Sequence, residues 1–281
     1  MSITSAFFDI DGTLTSFTAH EVPASTLRAL KALRESGVRI FICTGRSPSQ
    51  AIKVLDTIPV AFDGYVTYNG QYCLLDEHLD EQGTAQSAGE GIRRSRVIAE
   101  HPLDREDLAL ILDWLAAHPT VVSNFGERDY VYFNQVDEQM RATWRSLGKT
   151  APKVYVDSPR RALDHPTYQV SPYITAEEEA ALVATLPHVT GVRWHPAFTD
   201  LIPADGGKPA GMRVFLDHFG LDMADAIAFG DGGNDITMIE AAGIGVAMGN
   251  ATENVKAAAD HVTDDVDHDG IANALRRFGA L

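Results

Sequence analysis

Short apolar runs alternate with helix-like segments over the first 70 residues of the chain. Between the first two runs, Leu27, Leu30 and Leu33 recur at helical spacing, and Gly37 ends that helix. A proline at an early helical position, Pro48, opens a second helix. This β-α-β-α-β order predicts a parallel sheet with right-handed crossovers. The apolar runs are residues 3–8, 38–43 and 65–68.

The pattern changes in the middle of the chain. Residues 81–91 are rich in Gly, Ser, Gln and Glu, which predicts a linker or an exposed loop. Helical and strand-like segments then mix, which indicates an α+β insert of roughly 100 residues. Helices are predicted over residues 104–118 and 136–147, and a third helix is predicted from a cap at Thr175 to Pro187. Strands are predicted over residues 120–124, 130–134, 153–156 and 168–170.

From about residue 192 the pattern of the first segment returns, with a buried strand at residues 226–230 and another at 244–248. The chain is therefore predicted to be α/β, with a Rossmann-like parallel-sheet core and an inserted α+β cap domain. The expected boundaries are residues 1–82 and 191–281 for the discontinuous core and 83–190 for the cap. Helices are predicted near residues 210–218, 236–242, 253–259 and 270–278.

Composition narrows the possible partners. The 281 residues carry a net charge of −16, with 45% hydrophobic residues. An acidic protein of this kind is not expected to bind nucleic acid or an anionic membrane, because both require a basic surface. Two cysteines, Cys43 and Cys73, do not make a disulfide framework. The sequence lacks a long apolar run and a signal-like N-terminus, so a cytoplasmic location is expected; the oligomeric state cannot be predicted from it.

Two carboxylates, Asp9 and Asp11, follow the first predicted strand, and Gly12 comes directly after them. Polar groups at the carboxyl end of a parallel strand lie where open α/β sheets bind ligands. Aspartates this close repel each other unless a cation or a shared proton relieves them. The pair therefore predicts a hard divalent cation with a nucleophile or an acid/base pair. An ordinary Asp-Gly turn after a strand is the alternative.

Other polar side chains stand at further predicted strand ends or helix starts. A lysine and a hydroxyl can bind the oxygens of a transferring phosphoryl group, and carboxylates can attack phosphorus, move a proton or hold magnesium. Together with the first pair, each of these residue types would have a role if the substrate were a phosphate ester. These side chains are Thr44, Lys208, Asp231, Asn234 and Asp235.

The motifs that carry these residues resemble those of the haloacid dehalogenase-like (HAD) hydrolase superfamily. They are Asp9-Ile10-Asp11-Gly12-Thr13, Thr44-Gly45-Arg46, Lys208, and the run from Gly230 to Asp235. The segments 245–260 and 269–272 are similar to the Cof-type branch, in which a type IIB cap is inserted before the lysine motif. The resemblance covers both core segments by motif and the cap by architecture.

The resemblance implies a magnesium-dependent phosphatase. Asp9 would be the nucleophile and a metal ligand, and Asp11 would be the general acid/base, with its backbone carbonyl reaching the metal. Asp231 would complete the Mg²⁺ site. Asp235 would hold Lys208 or the metal site in place without contacting the metal itself. An alternative is that Asp235 only caps the following helix.

For the substrate, the resemblance implies that Thr44 and Lys208 bind the phosphoryl group, that Gly45 presents its backbone N–H, and that Asn234 binds phosphate or metal-bound water. The expected partner is a small phosphorylated metabolite, with sugar phosphates favoured. Lys208 is followed by Pro209 where the family usually has glycine, but it is still expected to point into the cleft.

Several interpretations remain open from the sequence. The protein could be a phosphoryl transferase or mutase on the same scaffold, a non-catalytic sensor of a phosphorylated metabolite, or a protein with a structural metal site. Arg46 is expected at the surface, and Trp194-His195 is expected to be structural or exposed. The basic residues Arg93, Arg94 and Arg96 are expected in a solvated loop. Cap residues that could face the substrate, or pack inside the cap instead, are Asn124, Phe125, Arg128, Tyr130 and Tyr132.

Overall fold

The computed structural model describes residues 3–77, 87–146, 148 and 151–281. The strands are β1 (Ser5–Phe8), β2 (Arg39–Cys43), β3 (Gly64–Thr67), β4 (Tyr72–Leu75), β5 (Arg96–Glu100), β6 (Ser123–Glu127), β7 (Val131–Phe133), β8 (Thr167–Pro172), β9 (Val189–His195), β10 (Phe198–Pro203), β11 (Ala226–Gly230), β12 (Ile244–Ala247) and β13 (His261–Val262). The helices are α1 (Ala24–Glu35), α2 (Pro48–Leu55), α3 (Ala88–Arg94), α4 (Arg105–Ala117), α5 (Glu138–Ser146), α6 (Ala176–Val183), α7 (Lys208–Phe219), α8 (Ile236–Ala241), α9 (Glu253–Ala258) and α10 (Gly270–Arg277).

The core sheet has β1 near its centre. Within the described residues its order is β13-β12-β11-β1-β2-β3-β4-β5, and β1, β2, β3, β11, β12 and β13 run parallel. Every residue of β1 is buried, with Phe8 in the apolar layer on one face and Phe7 in the layer on the other. Phe7 stacks on Phe41 of β2 with ring centroids 4.7 Å apart. Burial on both faces explains why residues 6–8 of this strand are apolar in succession rather than alternately.

The cap sheet is antiparallel, with the order β7-β6-β8-β10-β9 among the described residues. Leu108 and Ile111 of α4 and Leu182 of α6 pack with Phe125 and Leu201 of the sheet in one apolar cluster. The predicted α/β class, with a parallel-sheet core and an α+β cap, is confirmed. Residues 153–156, predicted as a strand, contribute an isolated bridge between Phe133 and Val156.

The edges of the two sheets do not coincide with the expected boundaries at residues 82/83 and 190/191. Strand β5 belongs to the core sheet, where it pairs with β4, and β9 and β10 belong to the cap sheet. The core pattern was predicted to return from about residue 192, but Leu201 and Ile202 still pair within the cap sheet, with β8 and β9. Of the predicted linker at 81–91, residues 81–86 lie outside the described residues, and its last part enters α3.

The chain leaves and re-enters the core at neighbouring points. His101 follows β5 directly, and its backbone N–H donates to the carbonyl of Gln71 over 2.8 Å. Asp205 follows β10, and its carboxylate lies 2.8 Å from Nε2 of His101. Both ends of the cap segment therefore meet beside β4. In the part of the chain that the structure describes, no helix combines the length and hydrophobicity needed to cross a bilayer.

Candidate active site

The carboxyl ends of β1, β2 and β11 meet at one edge of the core sheet and bring the predicted site residues together. Asp9 follows β1, and Asp231 follows β11, which pairs with β1 in parallel register. Gly12 has a φ of +81°, and a Cβ there would lie 2.1 Å from an oxygen of Asp231. A side chain at position 12 would therefore be strained and would displace Asp231, so glycine is required between the two acidic segments.

Lys208 lies between the carboxylates of Asp9 and Asp235. It is the first residue of α7, and Pro209 occupies an early helical position, where a missing N–H costs nothing. Its Nζ donates to Asp9 Oδ1 and to the Cys43 carbonyl, both at 2.7 Å, and to Asp235. Burial alone would lower the pKa of Lys208, but the carboxylates of Asp235 and Asp9 raise it above its usual value. The lysine is therefore expected to be charged, and Pro209 does not prevent its Nζ from reaching Asp9.

Asp235 connects Lys208 to the loop that carries Asp231. One oxygen accepts from Lys208, and the other accepts from the backbone N–H groups of Asp231 and Gly232 at 3.0 and 2.9 Å. Its side chain makes no capping hydrogen bond to α8, a helix described in full, so the helix-cap alternative does not describe its contacts. Because both oxygens are already engaged, Asp235 is placed to orient Lys208 and the loop.

Asp231 is held by neutral donors. Thr13 Oγ1 donates to it over 2.9 Å, and Asn250 Nδ2 lies 3.4 Å from its other oxygen. Burial and the nearby carboxylates of Asp235 and Asp9 raise the pKa of Asp231 well above its usual value. Burial is also the main reason that the pKa of Asp9 is raised to about 7. For both side chains, the nearby positive charges and hydrogen-bond donors do not fully offset the cost of burying a negative charge.

The same cluster fits a divalent cation. Oxygen atoms of Asp9, Asp231 and Asp235 all lie within 4.8 Å of one another. Since Asp235 is occupied by Lys208 and two N–H groups, Asp9 and Asp231 are the carboxylates available to an ion. Hard cations such as Mg²⁺ prefer carboxylate oxygens, and a nearby positive charge favours the ionised form of both groups.

Arg46 is not at the surface, and the expectation that placed it there is wrong. Its side chain is 9% exposed, and its Nε and Nη2 donate to the two oxygens of Asp11 at 2.6 and 2.8 Å. The guanidinium fork matches the two carboxylate oxygens, which gives a pair of charge-assisted bonds. Its position two residues after Thr44, at the same edge as the aspartates, was the signal that could have placed it in the site.

Thr44, Gly45 and Asn234 line the same cleft. Thr44 Oγ1 accepts from the Arg46 backbone N–H at 3.2 Å, which leaves its hydroxyl hydrogen free to point into the cleft. A Cβ on Gly45 would lie 3.1 Å from the side-chain amide of Asn69 and 3.3 Å from that of Asn234. The absence of a side chain at position 45 therefore lets both amides approach the backbone there.

Asn69 links the core loop to the cap and is not among the site residues predicted from the sequence. Its Oδ1 accepts from Asn234 Nδ2 at 2.9 Å. Its Nδ2 donates to Gln169 Oε1 at 3.0 Å and to Asp200 Oδ2 at 3.1 Å, both in the cap sheet. Asn69 has a φ of +52°, a conformation that asparagine tolerates better than most residues. Asn69 therefore connects Asn234 in the core to two polar side chains of the cap sheet.

A cavity of about 570 Å³ lies between core and cap and is lined by Asp9, Asp11 and Asp231. Asn124 lines it, whereas Phe125 and Tyr132 are buried and pack with Tyr130 in the cap core. Arg128 instead lies near Glu100, at 3.4 Å. Trp194 and His195, which were expected to be structural or exposed, line the cavity and are half-buried.

The basic residues that were expected in a solvated loop are paired. Arg93 binds Asp56 through two hydrogen bonds of 2.7 Å, and Arg94 binds Asp76 at 2.7 and 2.8 Å. Arg96 pairs with Glu77. These contacts join α3 and β5 to the core, so the local basic composition reflects packing.

Comparisons with known proteins identify the family. The model of the haloacid dehalogenase-like hydrolases matches residues 6–275. The YkrA protein of Bacillus subtilis (strain 168) is 31% identical over 278 residues, covering 98% of this chain and 97% of that protein. The protein named pyridoxal phosphate phosphatase YbhA, of Escherichia coli (strain K12), is 29% identical over 283 residues, covering 95% of each chain.

Comparison with solved structures points to the same family. The structure described as the HAD subclass IIB sugar phosphatase BT4131 shares 35% sequence identity and a TM-score of 0.85, covering 99% of this chain and 100% of that one. The chain belongs to the haloacid dehalogenase-like hydrolases and is an enzyme of that class. The expected superfamily is confirmed.

Proposed function

We propose that this protein is a divalent-metal-dependent phosphatase that hydrolyses small phosphorylated metabolites, sugar phosphates among them, through an aspartyl-phosphate on Asp9. The observation that carries the proposal is the contact of Lys208 Nζ with both Asp9 and Asp235. A sensor or a structural metal site would need neither a buried lysine on the attacking carboxylate nor an arginine on Asp11. Similarity to a sugar phosphatase and to a pyridoxal phosphate phosphatase supports a monoester substrate.

In the first step a carboxylate oxygen of Asp9 attacks phosphorus while the bond from phosphorus to the ester oxygen breaks. Lys208 fixes the rotation of the Asp9 carboxylate through its 2.7 Å bond to Oδ1 and places positive charge beside the phosphoryl oxygens. Asp11, protonated, gives its proton to the leaving alkoxide. Thr44, the backbone N–H of Gly45 and the amide of Asn234 are assigned to the phosphoryl oxygens.

In the second step water attacks the phosphorus of the aspartyl-phosphate, and the bond to Asp9 breaks. Asp11, now a carboxylate, takes the proton of that water and returns to its starting state. Inorganic phosphate leaves with the water oxygen. Arg46 positions the Asp11 side chain, and one of its two hydrogen bonds to Asp11 must open when that carboxyl carries the proton.

Asp9 and Asp231 are the residues assigned to the metal, with the backbone carbonyl of Asp11. A bound Mg²⁺ supplies positive charge that offsets the charge of the attacking carboxylate and of the transferring group. The carboxylate oxygens clustered within 4.8 Å and the raised pKa of Asp231 support this assignment.

The test is phosphate release from a panel of phosphomonoesters with and without Mg²⁺, for the wild type, for Asp9→Asn and for a control, Asp217→Asn. Asp217 is exposed on the helix that begins with Lys208, so its variant controls for an aspartate change away from the site. Release should require Mg²⁺, disappear in Asp9→Asn and persist in Asp217→Asn. Acid-quenched single turnovers with a radiolabelled phosphoryl group should label the wild-type protein. Full turnover by Asp9→Asn would exclude the proposed nucleophile.

A further inference from the structure

A cap hairpin forms the wall of the cavity that faces the reacting centre. Strands β9 and β10 are joined through Pro196 and Ala197, and the aromatic residues on either side of this turn line the cavity. The hairpin also lies against the Asp231 loop, because a Cβ on Gly232 would be 3.2 Å from Trp194 Cβ, and one on Gly233 would be 2.2 Å from the Arg193 carbonyl oxygen. The hairpin thus borders the position where the leaving group of a phosphate ester would lie.

Trp194 is held in one orientation. Its Nε1 donates to Asp200 Oδ2 over 3.3 Å, and its ring meets Phe198 edge to face, with centroids 5.1 Å apart and planes at 87°. Asp200 is itself fixed by Ser171 and Asn69 at 2.7 and 3.1 Å. The indole is half-buried and lines the cavity, so part of its surface is available to a ligand. A fixed aromatic face suits a flat or ring-shaped apolar surface better than a flexible chain.

His195 adds a polar group of defined character. Its Nδ1 accepts from the Ala197 backbone N–H at 3.1 Å, which assigns the ring hydrogen to Nε2. The ring stacks on Phe198, with centroids 5.3 Å apart and an interplanar angle of 15°. Burial and the nearby Arg193 lower its pKa, which favours the neutral form. His195 is therefore a neutral side chain that can donate one hydrogen bond beside the aromatic face.

We propose that the hairpin residues Trp194, His195 and Phe198 form the leaving-group subsite and select the monophosphate ester of a ring-shaped alcohol over that of an open chain. This inference rests on the proposed phosphatase function and extends it to the class of alcohol. The ring face stacks on Trp194, and His195 donates to a hydroxyl of the ring. Asp200 acts through Trp194 as a positioning residue.

The experiment compares two esters with the same number of carbons and one phosphate each, glucose 6-phosphate and glucitol 6-phosphate. The cyclic ester should have a kcat/KM about five- to tenfold above that of the open chain, the range expected for one aromatic contact. Trp194→Leu should bring this ratio close to one, mainly through KM, and Trp194→Phe should keep most of it. Trp114→Leu is the matched control, because Trp114 lies on α4 and stacks on His118.

Two further measurements separate this inference from the proposed function. Hydrolysis of acetyl phosphate, whose leaving group is too small to reach the hairpin, reports the core chemistry. Affinities of both sugar esters for Asp9→Asn, measured by calorimetry with Mg²⁺, report the subsite without turnover. If neither acetyl phosphate nor any phosphomonoester is hydrolysed, the phosphatase proposal fails, and the calorimetric ratio still decides the subsite.

Several results would contradict the leaving-group subsite while leaving the phosphatase function intact. Equal affinities for the cyclic and open-chain esters would overturn it. So would a Trp194→Leu variant that keeps the ratio, or one that loses both sugar esters and acetyl phosphate to the same extent, because the tryptophan would then be structural.

Discussion

Arg46 contacts both carboxylate oxygens of Asp11, at 2.6 Å from Nε and 2.8 Å from Nη2. Burial alone would lower the pKa of Arg46, but its interaction with Asp11 raises it, so the guanidinium remains charged in the site. Its Nη1 also lies 3.3 Å from the Gln50 carbonyl, which ties the pair to α2. The proposed acid/base group is therefore held by a rigid, permanently charged partner.

Removing this partner should impair proton transfer to the leaving group. We expect Arg46→Met to lower kcat for an alkyl phosphate by about 100-fold, within the range of general acid catalysis. The loss should be much smaller for p-nitrophenyl phosphate, because its leaving group needs little protonation. Steady-state kinetics with both substrates measure the difference, and Arg46→Lys should recover part of the activity.

Arg93→Met is the matched control for this experiment. Arg93 makes an equivalent two-bond pair with Asp56, but that pair is half-exposed and lies on α3. Its loss should leave the ratio of the two rates unchanged. Equal losses of alkyl and p-nitrophenyl phosphate turnover in Arg46→Met would show that Arg46 acts on binding or folding rather than on proton transfer.

The Asn69 contacts predict that this residue orients Asn234 and joins the cap to the core. Asn69→Gly keeps the left-handed backbone accessible and removes the amide, so its effect reports the hydrogen bonds. We expect kcat/KM to fall about tenfold and the free energy of unfolding to fall by about 1–3 kcal/mol, the cost of leaving buried polar partners unpaired. Kinetics and urea denaturation measure the two effects.

Asn69→Ala separates backbone strain from the lost amide. It removes the same hydrogen bonds but must place a Cβ at a φ of +52°, so it should be less stable than Asn69→Gly by about 1 kcal/mol. Wild-type kcat/KM in both variants would contradict a positioning role for Asn69.

The raised pKa of Asp200 predicts that the free energy of unfolding depends on pH between about 4 and 7. Burial raises its pKa from 3.8 to about 6, although hydrogen bonds from Ser171, Asn69 and Trp194 oppose the shift. Between these pH values the folded protein keeps a proton that the unfolded chain has lost, so the free energy of unfolding falls as pH rises. Relative to Asp200→Asn, the wild type should lose on the order of 3 kcal/mol between pH 4 and pH 7. Urea denaturation of both proteins across this range tests it, and parallel profiles would refute it.

A divalent ion should stabilise the fold apart from its role in activity. At 100 times its Kd, an ion that binds the folded state alone adds about 2.7 kcal/mol to the free energy of unfolding. We expect Mg²⁺ to raise the melting temperature of the wild type and EDTA to reverse the effect. In Asp231→Asn the metal-free protein should melt higher than the metal-free wild type, because one repelling carboxylate is gone, and the response to Mg²⁺ should be lost. An unchanged response would exclude Asp231 as a ligand.

Local patterns predicted much of the fold and the acidic site. The run ending at Phe8 predicts a buried strand, and the parallel order that follows brings the ends of β1, β2 and β11 to one edge. Asp9, Thr44 and Asp231 were placed by that reasoning. Lys208 was placed by resemblance and by the tolerance of helix starts for proline.

The remaining parts depend on contacts between distant segments. The environment of Arg46 is set by Asp11, 35 residues earlier, and the contacts of Asn69 lie 100 and 131 residues later in the cap. The sheet boundary was misplaced because Leu201 and Ile202 form an apolar run that suits either sheet, and pairing with β8 and β9 decides it. No local pattern contains this information.

The meeting of His101 and Asp205 at 2.8 Å has a consequence for how such enzymes diversify. A segment whose two ends lie side by side can be replaced by one of different length without moving the strands on either side of the junction. Asp9, Asp11 and Asp231 lie outside that segment, whereas Trp194, His195 and Asp200 lie inside it. Replacement of the segment between His101 and Asp205 could therefore change the recognised metabolite while the acidic residues of the core stay in place.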